Sequence, residues 1–202
     1  GDYPHSAYDV IIVDLPEPAN GALNRYYTLE FFREARRALK PGGILSVKLP
    51  SAENYWSPEM RQRNASIYHT LKVVFTDIVV IPGETDYYLA LSEPYVLSAG
   101  VLSRRFTERG IETRWVTPEY LAYVFSGDRY HRVRLALEST EGVRLNLDLV
   151  PICYYYDHTL WLSRFYPNIG KVFQRLSMLN LAWVALPLAV LLLLARQKRN
   201  LA

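Results

Sequence analysis

Two carboxylates stand three residues apart in a stretch whose neighbours restrict them. Asp14 ends the run Tyr8-Asp9-Val10-Ile11-Ile12-Val13, and Glu17 sits between Pro16 and Pro18. A short, β-branched, continuously apolar run of this kind reads as a strand buried on both faces, as in parallel sheets. Ligands of open α/β sheets bind outside the carboxyl ends of strands. Two acids at such an end can hold a cationic group and accept a proton from it. The flanking prolines reduce the loop's freedom, which favours a fixed site. The same two residues also read as a solvated acid pair in a turn, and position alone leaves both readings open.

The elements that must present this pair follow in order. Residues 15–21 are a loop by their two prolines and Gly21. Thr28 is the expected N-cap of a helix with Glu30 in its first turn, and Leu29, Phe32, Ala35 and Leu39 repeat at helical spacing. Lys40-Pro41-Gly42-Gly43 is expected to stop that helix, and Ile44–Leu49 to form a second strand. Pro58 to about Leu71 reads as a helix, Lys72–Ile81 as a third strand and Tyr87–Leu91 as a fourth. The short turn Pro82-Gly83-Glu84-Thr85 makes the last two strands antiparallel. This order is the second half of a doubly wound α/β sheet. Leu97–Glu138 reads as helical with a break at Gly110–Pro118; it carries seven arginines among interspersed acids. A solvated face is the plain reading of those arginines, and a face toward acidic lipid headgroups the alternative.

Composition narrows the chemistry. The chain has 202 residues, 50% hydrophobic and 21% charged, which excludes a disordered tract. A net charge of +3 gives no argument for nucleic acid. The single Cys153 rules out an internal disulfide framework, and His5, His69, His131 and His158 show no paired ligand spacing, so no metal is expected.

The two ends differ in kind. Gly1 opens without an initiator Met or a signal segment, and a strand begins almost at once, so a longer protein is expected. Met178–Ala195 is an 18-residue run without charge, bounded by Arg175 and by Arg196, Lys198 and Arg199. That is close to what about 30 Å of hydrocarbon requires at about 1.5 Å per residue. It is expected to be a transmembrane helix, with a buried core helix as the alternative. The aromatic-rich segment Pro151–Pro167 reads equally as a bilayer-interface segment or as an amphipathic helix packed on the domain before it. The expected organisation is therefore 1–96 a sheet domain, 97–150 a helical or irregular extension, 151–177 a juxtamembrane segment, 178–195 the membrane helix and 196–202 a basic tail.

YDVIIVDLPEP, then YYTLEFF, then LKPGGILSVKLPS, resembles the spermidine synthase (aminopropyltransferase) family over roughly Tyr8–Ser92. That family shows a strand ending in D-x-x-D-P, a T-x-E-F-F/Y helix start and L-x-x-G-G-I-L. The L-x-x-G-G part is shared with many class I methyltransferases. The acid loop followed by Thr28-x-Glu30-Phe31-Phe32 is the more specific signal. With the C-terminal apolar run, the chain is similar to fused proteins that join such a domain to membrane segments. The implied fold is α/β: the C-terminal half of a Rossmann-like, methyltransferase-type sheet, followed by helical segments and one transmembrane helix.

The resemblance implies that Asp14 deprotonates an attacking amine and that Glu17 grips it. The donor would be decarboxylated S-adenosylmethionine, held by a Gly-rich turn and acids upstream of Tyr8, so this chain would carry the acceptor half of a site and be inactive alone. Three departures bear on substrate. Glu17 replaces a usual Asp, Lys48 replaces a Gln after L-K-P-G-G, and Ile81 stands where the family carries a substrate-facing Tyr before Pro82. Lys48 would repel a diammonium acceptor, or pair with Asp14 or Glu17. Two alternatives stay open: a methyltransferase using intact S-adenosylmethionine, and a non-catalytic sensor or scaffold. The expected partners are a small-molecule amine and, through the C-terminal helix, membrane lipid; a homodimer is left open. The expected location is the inner or plasma membrane, with the sheet domain on the cytoplasmic side.

Overall fold

The computed structural model describes residues 6–52, 55–94, 98–163 and 165. Residues 1–158 make one compact unit and 159–202 a second. In the first, the elements run β1 (Tyr8–Val13), α1 (Gly21–Asn24), a 3-10 turn (Arg25–Tyr27), α2 (Leu29–Ala38), β2 (Leu39–Pro50), α3 (Pro58–Lys72), β3 (Asp77–Ile81), β4 (Thr85–Leu91), α4 (Ala99–Glu108), α5 (Pro118–Ser126), α6 (Asp128–Glu138) and the start of α7 (Ile152–Ser163).

The four strands form one sheet in the order β1-β2-β4-β3. β1 and β2 are parallel, and β4 runs antiparallel to both β2 and β3. The crossover through α1 and α2 returns the chain in the same direction, as a βαβ unit must. Thr28 caps α2 by accepting the Phe31 N–H at 3.4 Å, and Ser57 caps α3 by accepting the Met60 N–H at 3.2 Å. Pro58 stands at the first position of α3, where no intrahelical donor is lost.

Side chains alternate across the sheet and decide which face is covered. Leu45, Val47 and Leu49 point to the same side as Val13, Tyr88 and Val80, where Phe32 of α2 and Ile67 and Leu71 of α3 close the main core. The opposite face is covered on the β3–β4 side, where Val79 and Leu91 pack with Phe125 of α5 and with Leu102 and Leu121. On β1 that face is bare: Val10 is 53% and Ile12 70% exposed. The expectation that β1 is buried on both faces is thus corrected. Among the described residues β1 is an edge strand, and no described helix covers its outer face.

Three boundaries also move. Lys40-Pro41-Gly42-Gly43 does not separate α2 from a later strand; β2 starts at Leu39 and absorbs these residues as an irregularity, because β1 advances from Tyr8 to Val10 while β2 advances from Leu39 to Ile44. Gly42 takes φ +73° there, and a Cβ on Gly43 would lie 2.9 Å from the Lys40 carbonyl oxygen and 3.2 Å from that of Asp9. Only glycine lets the two strands approach so closely. β3 begins at Asp77 rather than Lys72, because the N–H of Phe75 turns back to the Leu71 carbonyl at 2.9 Å. The helical region after the sheet has a second break at Gly127, between α5 and α6.

Within 97–150, Val133 and Leu137 of α6 lie in the main core. α7 begins in that core with Ile152 and Cys153, so the start of the aromatic segment packs on the domain. Burial pushes the Cys153 thiol up to about 12, which makes it a structural and unreactive sulfur. In the second unit the rings of Trp161 and Phe165 lie 5.1 Å apart. Among the described residues no helix is long and apolar enough to cross a membrane. The expected membrane helix at 178–195, the basic tail, and residues 164 and 166–177 of the juxtamembrane segment lie outside the described residues.

Candidate functional site

β1 ends at Val13, and the parallel register pairs Val13 with Val47. The next residue on each strand therefore projects from the other face of the sheet, and Lys48 and Asp14 meet there as an ion pair. The Asp14 carboxylate, by accepting this hydrogen bond, raises the Lys48 ammonium above the ordinary lysine value. Register carries the row further. Lys48 lies directly opposite Tyr87 of β4, and Tyr87 directly opposite Ile81 of β3. Asp14, Lys48, Tyr87 and Ile81 therefore form one line across the carboxyl ends of the parallel strands, in the order acid, cation, phenol, alkyl. Tyr87 is 45% exposed and Asp14 is exposed, whereas Ile81 packs into the apolar cluster with Leu89 and Val79.

The loop after Asp14 is held from beneath. The Tyr27 hydroxyl faces the carbonyls of Pro16 at 2.7 Å and Leu15 at 3.1 Å and donates to them, and the Tyr27 side chain is fully buried. Burial first, and then the Glu17 carboxylate, hold the Tyr27 phenol far above its ordinary value. The hydroxyl therefore stays a donor, and Glu17 is close enough to feel it. Asn146 fixes Tyr27 in turn: its side-chain amide donates to the Tyr27 carbonyl at 2.9 Å and to Asn24 Oδ1 at 3.1 Å, while its Oδ1 accepts the Cys153 N–H at 3.1 Å. The structure thus brings Asp14 and Lys48 into contact and places Glu17, half-buried, on a loop clamped from the core.

Sequence reasoning missed Tyr87, Tyr27 and Asn146. For Tyr87 a signal existed, because alternation along Thr85–Leu91 puts it on the face opposite the buried Tyr88. Asn146 gave none, since the Tyr27 and Asn24 groups it holds lie 119 and 122 residues away.

On the buried face, directly opposite Leu49, lies Asp86. Burial pushes its carboxyl up to about 6, against the pull of the Ser51 hydroxyl, the Gly83 N–H (3.2 Å to Oδ1), Arg129 and Arg63. An unfolded aspartate releases its proton near 3.8 and the folded one near 6, so the folded state binds more protons between these values. Stability from this group is therefore complete below the lower value and is lost as pH rises through the upper one. Asp86→Asn is expected to leave stability unchanged at about pH 4 and to raise it by about 1–3 kcal/mol at about pH 8. Urea denaturation at the two pH values measures this.

The described residues contain no group of three or more potential metal ligands. A cavity of about 1090 Å³ opens along the free edge of β1, where Tyr8, Val10 and Ile11 face Tyr26 and Phe31.

Comparison with known proteins shows what this chain is similar to. Residues 2–89 match the family model described as the spermine/spermidine synthase domain. Over 109 residues the chain is 36% identical to a polyamine aminopropyltransferase of Nitrosomonas europaea, covering 52% of this chain and 33% of that protein. Over 133 residues it is 32% identical to the polyamine aminopropyltransferase of Mycobacterium tuberculosis, covering 62% of this chain and 24% of that protein. The chain thus spans a third or less of the curated relatives it matches. A spermidine synthase structure from Thermotoga maritima superposes with a TM-score of 0.49 at 18% identity, over 67% of this chain and 45% of the other. The expected resemblance to this family is borne out over part of the chain.

Proposed function

We propose, from the match of residues 2–89 to the spermine/spermidine synthase domain, that this chain supplies the acceptor side of an aminopropyl transfer to a small amine. The observation that carries the proposal is the placement of Asp14. It sits at the carboxyl end of β1, on the exposed face of the sheet, with Glu17 three residues on in a loop clamped by Tyr27. An alkylammonium, with a pKa of about 10, must lose a proton before it can attack carbon, so an anionic base within reach lowers the barrier. In this reading Asp14 takes that proton, Glu17 holds the distal end of the amine, and Tyr87 lines the acceptor beside Lys48. Decarboxylated S-adenosylmethionine would supply an aminopropyl carbon activated by its sulfonium. No described residue is assigned to its nucleoside. Intact S-adenosylmethionine as a methyl donor is the alternative that a donor assay separates.

Lys48 decides how the site is used. Paired with Asp14, it shields the base and repels a cationic acceptor; an incoming amine must displace it. Lys48→Gln in the full-length protein is expected to lower the KM for putrescine about tenfold with little change in kcat. Steady-state transfer of label from decarboxylated S-adenosylmethionine checks it, and an unchanged KM would place Lys48 away from the acceptor. The same ion pair favours a second reading, a non-catalytic sensor domain of a membrane protein in which Asp14 is permanently occupied. Absence of transfer by both the wild type and Lys48→Gln, with all donor and amine combinations, would select that reading.

A further inference from the structure

A second concavity lies at the far side of the sheet from β1, between the chain leaving β2, helix α3 and helix α6. It is open to solvent and offers about 230 Å³, room for about eight waters at about 30 Å³ each. Its apolar side is built by the buried Trp56 and Val133 and the half-buried Ala136. Trp56 spends its indole N–H on Ser51 Oγ at 3.0 Å, so its polar edge is already satisfied. Tyr55, 72% exposed, stands at the mouth.

Among the described residues the charge on this lining is one-sided. Arg61 of α3 and Arg132 of α6 both line the cavity, and no acid does so among the described residues. Arg129, also in the lining, already donates to the Gly83 carbonyl at 2.7 Å. Four other arginines find carboxylates: Arg37 with Glu34, Arg63 with Asp157, Arg104 with Glu108, and Arg134, on the same helix as Arg132, with Glu138. Neither Arg61 nor Arg132 has such a partner among the described residues. Two guanidinium groups in one lining, with no acid beside them among the described residues, favour a bound anion. Guanidinium forks match the planar or tetrahedral oxygens of carboxylate and phosphate and stack on aromatic faces.

We propose that this cavity is a binding site for a small organic anion, a carboxylate or phosphate carrying a flat apolar body. Arg61 and Arg132 take the anionic group and Trp56 and Val133 the body. The site uses neither Asp14 nor Lys48, so it holds or fails independently of aminopropyl transfer.

Calorimetric titration of the 202-residue chain with phenyl phosphate, benzoate, inorganic phosphate and benzylamine tests it. Saturable binding of phenyl phosphate or benzoate is expected, and whichever binds tighter identifies the anionic group. Arg61→Gln and Arg132→Gln should each weaken that binding about tenfold or more. Both residues are exposed, so the melting temperature should not change; Arg61→Lys and Arg132→Lys, keeping charge but not the fork, should fall between. No saturation with either organic anion, equal affinity in the Gln variants, or benzylamine binding as tightly would overturn the site. Inorganic phosphate binding as tightly as phenyl phosphate would overturn the apolar subsite.

Discussion

Asp14→Asn in the full-length protein is expected to lower transfer turnover by about 10²–10⁴-fold while leaving the fold intact. The amide keeps the size of the carboxylate but cannot accept a proton from an alkylammonium. Structure gives no reason for misfolding, because Asp14 is exposed and lies beyond the last residue of β1. The variant also releases Lys48 from its partner, which adds an uncompensated cation beside the acceptor. The two effects separate by pH. If lost basicity dominates, raising the pH toward the pKa of the amine restores part of the rate, because free amine then needs no base. If the freed Lys48 dominates, the double variant Asp14→Asn, Lys48→Gln recovers KM and not kcat. Turnover equal to wild type would remove Asp14 from the mechanism.

The second large effect is on stability. Arg63 is 1% exposed and uses its guanidinium on three sides: Asp157 at 2.8 Å, the Pro50 carbonyl at 2.8 Å and Asn64 Oδ1 at 3.1 Å. It thereby ties the end of β2, two residues beyond Lys48, to α3 and to α7. Arg63→Met is expected to cost about 3–5 kcal/mol, because it leaves the largely buried Asp157 carboxylate uncompensated as well as an unpaired carbonyl. Removing the orphaned charge too, in Arg63→Met with Asp157→Leu, should recover a large part of that loss. Chemical denaturation of the four corners of this cycle measures the coupling. A loss equal to the sum of the single variants would show that the two groups act separately.

Much of the sheet was legible because its signals are local. Thr28 and Ser57 are caps within three residues of the donors they satisfy, and the Pro82–Thr85 turn is short enough to force antiparallel strands. What escaped depends on partners distant in the chain. The proline and glycines of Lys40–Gly43 look like a stop, and only the approach of β1 turns them into an irregular strand. Val10 and Ile12 look like residues of a doubly covered strand; no described helix or strand lies over their face. In the candidate site, Asp14 and Glu17 announced themselves by strand end and proline spacing. Tyr87 required the register of β4 against β2, and Tyr27 required the fold that brings its hydroxyl beneath the Pro16 carbonyl, eleven residues back.

The stitch made by Asn146 bears on modularity. The matched family segment ends at residue 89, yet the loop presenting Glu17 is buttressed by a side chain contributed 57 positions later. Trimming the polypeptide after β4 would leave the Tyr27 carbonyl and Asn24 without their amide donor. Substitutions at Asn146 therefore reach the candidate site through Tyr27, although neither side chain belongs to the acid pair itself.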